Sequence, residues 1–172
     1  QIKKVIIGNA VTTISANAFF QCTNLNSVII GNSVKIIGDG AFSYCSALQS
    51  PKLPESLTSL GSYAFHGCLQ ITSIDIPQGV TTIPNSAFRN CGLESVTIRG
   101  NVTNIGSFAF SNCNELLHIY CYAESAPTLN AYALYNCTQM IILYVRSGLD
   151  YSSWESVYPK FGIYYDLPPS AK

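Results

Sequence analysis

The sequence predicts a parallel solenoid of about six stacked repeats, each with one short strand and a short helical turn, closed by a C-terminal cap. Three observations carry this. First, an Ala-Phe pair with Cys three positions beyond the Phe recurs at Phe19/Cys22, Phe42/Cys45, Phe65/Cys68, Phe88/Cys91 and Phe110/Cys113, the Phe spacing being 23, 23, 23 and 22 residues. A sixth copy, Ala133-Leu134 with Cys137, follows 24 residues on with Leu in place of Phe. Second, one apolar skeleton precedes each pair, as in Leu25, Val28, Ile30, Val34 and Ile37, and again in Ile71, Ile74, Ile76, Val80 and Ile83. Third, only 10% of residues are charged, against roughly 25% in an average soluble protein. A unit of about 23 residues cannot bury its apolar face alone, so the copies must stack into a continuous core.

Within a repeat, Val28 and Ile30 alternate with outward residues as in a half-buried strand. The Ala-Phe-x-x-Cys end, preceded by small residues such as Gly38-Asp39-Gly40, is expected to form about one helical turn that drops Ala, Phe and Cys inward. Two copies depart from the pattern. Pro51 stands where Val28 and Ile74 stand elsewhere and, lacking an N–H, should cost the third strand one ladder hydrogen bond. The sixth copy carries an inserted Pro127 as well as Leu134. Residues 1–139 are therefore assigned to six repeats and 140–167 to a seventh strand and cap. Ile142 to Val145 reads as the strand, and Tyr151, Trp154, Val157, Tyr158 and Phe161 recur at mostly helical spacing before a last strand within 161–167. Residues 168–172 read as a loose tail. No matching N-terminal cap is visible, so either the chain continues upstream of Gln1 or the first repeat is left partly open.

The skeleton Leu-x-x-Val-x-Ile-Gly-x-x-Val-x-x-Ile-Gly-x-x-Ala-Phe-x-x-Cys, from Leu25 to Cys45, resembles the BspA-like class of bacterial leucine-rich repeats over about residues 2–145. The resemblance implies a leucine-rich-repeat-like solenoid, a terminal segment bearing Tyr and Trp, and a cell-surface or secreted protein associated with adhesion to host proteins.

Nine Lys and Arg balance nine Asp and Glu. Nucleic acid, whose affinity rests on basic surface, is therefore not an expected partner, nor is a membrane bound through a polybasic patch. The longest apolar run, Met140 to Val145, is far short of the ~20 residues of a spanning helix. No membrane insertion is expected.

Seven Cys could signal a disulfide framework, zinc or a nucleophile. Six hold one repeat position, where stacking places them side by side with parallel side-chain vectors, a poor geometry for disulfides. They read as reduced, buried fillers. No C-x-x-C or paired His suggests zinc, and the glycines recur once per repeat at bends rather than in a phosphate-cradling loop, so no metal or cofactor is expected. His118 and Cys121 lie three apart on one strand and so face opposite sides, which denies them a Cys-His dyad. Ser27, Ser50, Ser73 and Ser95 copy one outward position and read as tolerated small surface residues. Of the outward strand residues only Asp75 is acidic, so the paired carboxylates of a glycosidase are missing. No enzymatic activity is expected.

The middle of the outward strand face is small and polar, whereas its C-terminal end gathers His118, Tyr120, Tyr122 and Tyr144, with Arg146 beside them. Exposed aromatics near Arg are typical of recognition surfaces. Two readings stay open for these rings: a binding surface, or a patch that the cap folds over and buries. The expected function is a non-catalytic binding or adhesion module that takes a protein or glycan ligand on this face, with Tyr120 and Tyr144 as anchors. The alternative is a structural spacer of a larger surface protein. Low charge and an open strand face also leave room for weak self-association.

Overall fold

The computed structural model describes residues 2–165 and 167, so the tail expected over 168–172 lies outside the described residues. The chain forms a parallel β-solenoid of about seven turns. Its strands run in chain order β1 (Lys4–Ile7), β2 (Thr13–Ile14), β3 (Ser27–Ile30), β4 (Ile36–Ile37), β5 (Ser59–Leu60), β6 (Ser73–Ile76), β7 (Thr82–Ile83), β8 (Ser95–Ile98), β9 (Asn104–Ile105), β10 (His118–Cys121), β11 (Thr128–Leu129) and β12 (Ile141–Val145). A helix, α1 (Ser152–Val157), and a last strand, β13 (Phe161–Tyr164), complete the cap.

Two features of the repeat differ from expectation. A two-residue second strand accompanies the first in most repeats, as β2 follows β1 and β7 follows β6. The Ala-Phe-x-x-Cys segment, moreover, is a pair of tight turns and not a helix. The residue before each Ala and the residue before each Cys adopt positive φ, as at Asn17 (56°) and Gln21 (58°), or Phe108 (58°) and Asn112 (59°). This left-handed step every four residues prevents a helix, whose N–H groups would all bond within the coil. Instead they alternate. The amides of Asn17, Phe19 and Gln21 donate to Asp39, Ala41 and Ser43 of the next coil at 2.8–2.9 Å, while those of Ala18, Phe20 and Cys22 donate within their own coil to Ser15, Asn17 and Phe19 at 3.1–3.2 Å. The turns thus form a third hydrogen-bonded side of the coil.

Phe42, Phe65 and Phe88 are fully buried and, with Phe19 and Phe110, stack along the axis with centroids 5.1, 5.2, 5.6 and 5.7 Å apart and planes within 9° of parallel. The predicted core spine is present. At the N-terminal end Phe19 and Cys22 are only half-buried, which leaves the first coil partly uncovered.

Pro51 does more than remove one bond. The first strand of the third repeat does not form, leaving only the short β5, and the main sheet separates into β1-β3 and β6-β8-β10-β12-β13. The short strands separate between β5 and β7, where Pro84, without an N–H, stands at the position from which Gly38, Gly61 and Gly106 donate to the carbonyls of Ile14, Ile37 and Ile83. Alternation survives, with Ser50 and Lys52 exposed and Pro51 and Leu53 buried, but Pro54 adds a second residue without an N–H three positions later. The Ser50 hydroxyl replaces the lost ladder by accepting the amides of Thr72 and Ser73, each at 3.0 Å. The turn ladder, by contrast, crosses this repeat unbroken: Phe42 donates to Ala64 and Phe65 to Ala87, both at 2.8 Å.

Of the residues read at helical spacing, Trp154 and Val157 lie on α1, Tyr151 and Tyr158 flank it, and Phe161 opens β13. Trp154 is fully buried and its indole N–H donates to the carbonyl of Pro127 at 2.7 Å, which gives the irregular sixth copy a function. The Tyr158 hydroxyl reaches the carbonyl of Cys137 at 3.0 Å. Beyond α1 the chain returns as β13, pairing in parallel with β12 through Ile141↔Phe161 and Tyr144↔Tyr164.

Candidate functional site

The candidate surface is the outward face of β10, β12 and β13. Parallel in-register pairing sets Tyr120 opposite Tyr144, and Tyr144 opposite Tyr164. Because an in-register parallel sheet places like positions side by side, the three rings form a ladder. Tyr120 and Tyr144 stack at 4.7 Å with planes 13° apart, and Tyr144 and Tyr164 at 5.7 Å and 28°. His118 flanks them, 6.1 Å from the Tyr120 ring and 6.0 Å from Tyr144. Its Nδ1 is buried and has no hydrogen-bond partner among the described residues.

The cap helix packs beside β11, on the Trp154–Pro127 contact, while β13 extends the sheet alongside the rings. Tyr120 and Tyr144 remain half-exposed and Tyr164 is 56% exposed. Burial, reinforced by Tyr144 and Tyr122, pushes the Tyr120 phenol above its ordinary value, so it stays a neutral donor. Tyr122 lies just past β10, half-buried, its amide bound to the carbonyl of Ile98 at 2.8 Å. Arg146 is exposed beyond the end of β12, outside the stack of rings. Tyr164 was not singled out by sequence, which suggested a last strand within 161–167 but not its register against β12.

Asp75, the one acidic outward strand residue, is held by Arg99, with Nη2 to Oδ2 at 2.6 Å and Nε to Oδ1 at 2.8 Å. Sequence reading placed the two on the same face without pairing them. His118 and Cys121 do face opposite sides: Cys121 is fully buried and receives the hydroxyl of Tyr151 at 3.3 Å. Among the described residues no three metal-ligating groups converge.

The seven cysteines are free thiols. Five of them do more than fill space: Cys45, Cys68 and Cys91 donate to the carbonyls of Phe19, Phe42 and Phe65 at 3.1 Å, and Cys113 and Cys137 to Phe88 and Phe110 at 3.2 and 3.3 Å. Each thiol ties the turn of one coil to the preceding one. Burial is the main cause that pushes Cys45 and Cys137 up to about 11 and raises Cys68, Cys91 and Cys113 as well, which removes them as nucleophiles, since the thiolate is the reactive form.

A crevice of about 550 Å³ lies where the sheet is broken, lined by Ile29, Asn32, Lys52, Pro54 and Glu55 among others.

A parallel solenoid with an Ala-Phe-x-x-Cys turn in five coils and Ala-Leu-x-x-Cys in a sixth, an open sheet face and a terminal aromatic cap defines a protein of the leucine-rich-repeat class. The model of the BspA type leucine rich repeat region, in six copies, matches residues 1–117 and 58–158, and the chain belongs to that family. No curated protein sequence matches it. Among solved structures it is similar to a leucine rich cell surface protein from Faecalibacterium prausnitzii A2-165, with 30% identity and a TM-score of 0.58 over 73% of this chain and 40% of that one. It is also similar to a leucine-rich repeat protein from Bacteroides ovatus, with 27% identity and a TM-score of 0.57 over 85% of this chain and 50% of that one. The Treponema pallidum leucine rich repeat protein shares the fold, with a TM-score of 0.70 at 24% identity over 96% of this chain and 87% of that one. The chain therefore spans half or less of the first two proteins. The family is a surface-protein repeat family that is not usually catalytic. Among the described residues no helix is long and apolar enough to cross a membrane.

Proposed function

We propose that the chain is a non-catalytic binding module, working outside the cytoplasm, that recognises a protein or glycan on the C-terminal end of its sheet face. Tyr120 and Tyr144 serve as anchors and Tyr164 extends them, while His118, Tyr122 and Arg146 supply hydrogen bonds or cation stacking at the edge. The observation that carries the reading is the ladder of three stacked, solvent-facing tyrosines on neighbouring strands. Rings fixed in register present a large amphipathic area with little entropy left to lose. The extracytoplasmic placement is supported by the family and by the cell-surface description of the Faecalibacterium protein.

The test is binding of the folded chain to an array of extracellular-matrix proteins, mucins and glycans, with Tyr120→Ala/Tyr144→Ala alongside. Removing two anchors should cost about 2 kcal/mol or more, roughly thirtyfold in affinity. No binding by the intact chain, or equal binding by the variant, contradicts the reading.

A further inference from the structure

The turn side of the coil carries a second set of aromatic residues, at positions the backbone does not favour. Left-handed φ suits Gly and Asn, and those residues occupy it at Asn17, Gly40, Gly67, Asn90, Asn112 and Asn136. At the equivalent positions in other coils stand Tyr44 (φ 60°), Tyr63 (58°), Phe108 (58°) and Tyr132 (65°). A bulky side chain there is strained, and three of the four are more than 40% exposed, so core packing does not account for them. Strain tolerated for side chains that face solvent points to what those side chains touch.

The most developed part of this side is a recess of about 390 Å³ whose lining includes Asp39, Tyr44, Ser62, Tyr63, His66 and Arg89. Its walls are set. The Tyr44 ring lies against Gly67, where a Cβ would come within 2.9 Å of it, so only glycine admits the ring. His66 Nε2 and the Tyr44 hydroxyl are 3.0 Å apart, and the imidazole stands edge-on to both tyrosines, at 4.8 Å from Tyr44 and 5.9 Å from Tyr63. Asp39 is exposed and uses Oδ1 to accept the Ser62 amide at 2.8 Å. The Arg89 guanidinium lies over the Phe108 ring at 5.5 Å. Burial, with Arg89 second, lowers the pKa of His66, which keeps the imidazole neutral. The recess thus holds one cation, one anion and several neutral donors and acceptors around exposed aromatic faces. Such a balance offers nothing to a polyanion or polycation and suits a neutral polyhydroxylated ring: its C–H face lies on a tyrosine, and its hydroxyls meet carboxylate, guanidinium and phenol groups.

We propose that this turn-side recess is a second binding site, separate from the sheet-face tyrosines, whose ligand is a neutral oligosaccharide. The experiment is affinity electrophoresis of the full chain through gels containing amylopectin, galactomannan, xyloglucan or mixed-linkage β-glucan. Tyr44→Asn/Tyr63→Asn and Tyr120→Ala/Tyr144→Ala run beside the wild type. Asn is the residue other coils carry at the same φ, so the turn-side variant should melt no lower than the wild type. The expected result is retardation of the wild type in at least one gel, weakened at least tenfold in the turn-side variant and kept in the sheet-face variant. A wild type that runs unretarded in all four gels overturns the proposal, as does a turn-side variant retarded as strongly as the wild type. Retardation lost only in the sheet-face variant also overturns it and moves the sugar to the tyrosine ladder.

Discussion

At the level of single residues, the repeated cysteine is the most constrained choice in the chain. It must be small enough to sit inside the turn, apolar enough to be buried, and able to donate to the phenylalanine carbonyl of the preceding coil. Serine would meet the last demand and fail the second, while alanine would do the reverse. Burial holds Cys45 and Cys137 near 11, so at pH 8 almost none of either is thiolate. Cys22, in the uncovered first coil, is the half-buried member of the set. Iodoacetamide at pH 8 should therefore give the native protein one adduct, at Cys22, and label the remaining cysteines only after denaturation. Rapid native labelling of Cys68 or Cys91 would contradict the thiol ladder. Sequence made the six-fold Cys position visible and its burial predictable; the hydrogen bond was hidden because it depends on how closely successive coils approach.

Among the elements, the strands were readable and the turns were not. Val28, Ile30, Ile74 and Ile76 alternate with polar residues, which fixes a strand and its inner face. The Ala-Phe-x-x-Cys segment, preceded by small residues, instead suited about one helical turn that drops Ala, Phe and Cys inward. What decides against the helix is the left-handed residue before each Ala and each Cys, and aromatics at four of these positions obscure the Gly and Asn signal. The two-residue strands were missed because two residues are too few to show a period. Pro51 was noticed, but its effect was underestimated: with Pro54 nearby it dissolves the first strand of its repeat and divides the main sheet. Ser50, which sequence ranks as an interchangeable surface serine, holds the two amides orphaned there. Ser50→Ala should accordingly lower stability in urea unfolding by about 0.5–1.5 kcal/mol, whereas Ser73→Ala, exposed in an intact strand, should change it little. Equal effects of the two substitutions would argue against the hydroxyl bridge. At the candidate site, the tyrosines of β10 and β12 were legible from their strand positions. Tyr164 was not, because its register depends on how the cap brings the chain back beside β12.

For the molecule as a whole, the divided sheets raise the question of what makes one folding unit of seven coils. The phenylalanine spine and the turn ladder both pass through the third repeat without interruption, while the strand hydrogen bonds do not. Nearest-neighbour stacking is what couples repeats in a solenoid, and here the coupling lies in the core and on the turn side. The same rigid stacking holds the tyrosine ladder and the turn-side recess in fixed register, so both proposed binding surfaces depend on it. Trp154 is the chain's single tryptophan and sits in the cap, far along the chain from the break, which makes its fluorescence a local reporter. The most direct test of a continuous core is urea unfolding of Phe65→Ala followed by Trp154 fluorescence and by far-ultraviolet circular dichroism. Coupling through the spine predicts that the wild-type transitions coincide, and that the substitution lowers both midpoints together by an amount equivalent to about 3–5 kcal/mol. A Trp154 transition left in place while the circular dichroism transition shifts would contradict it.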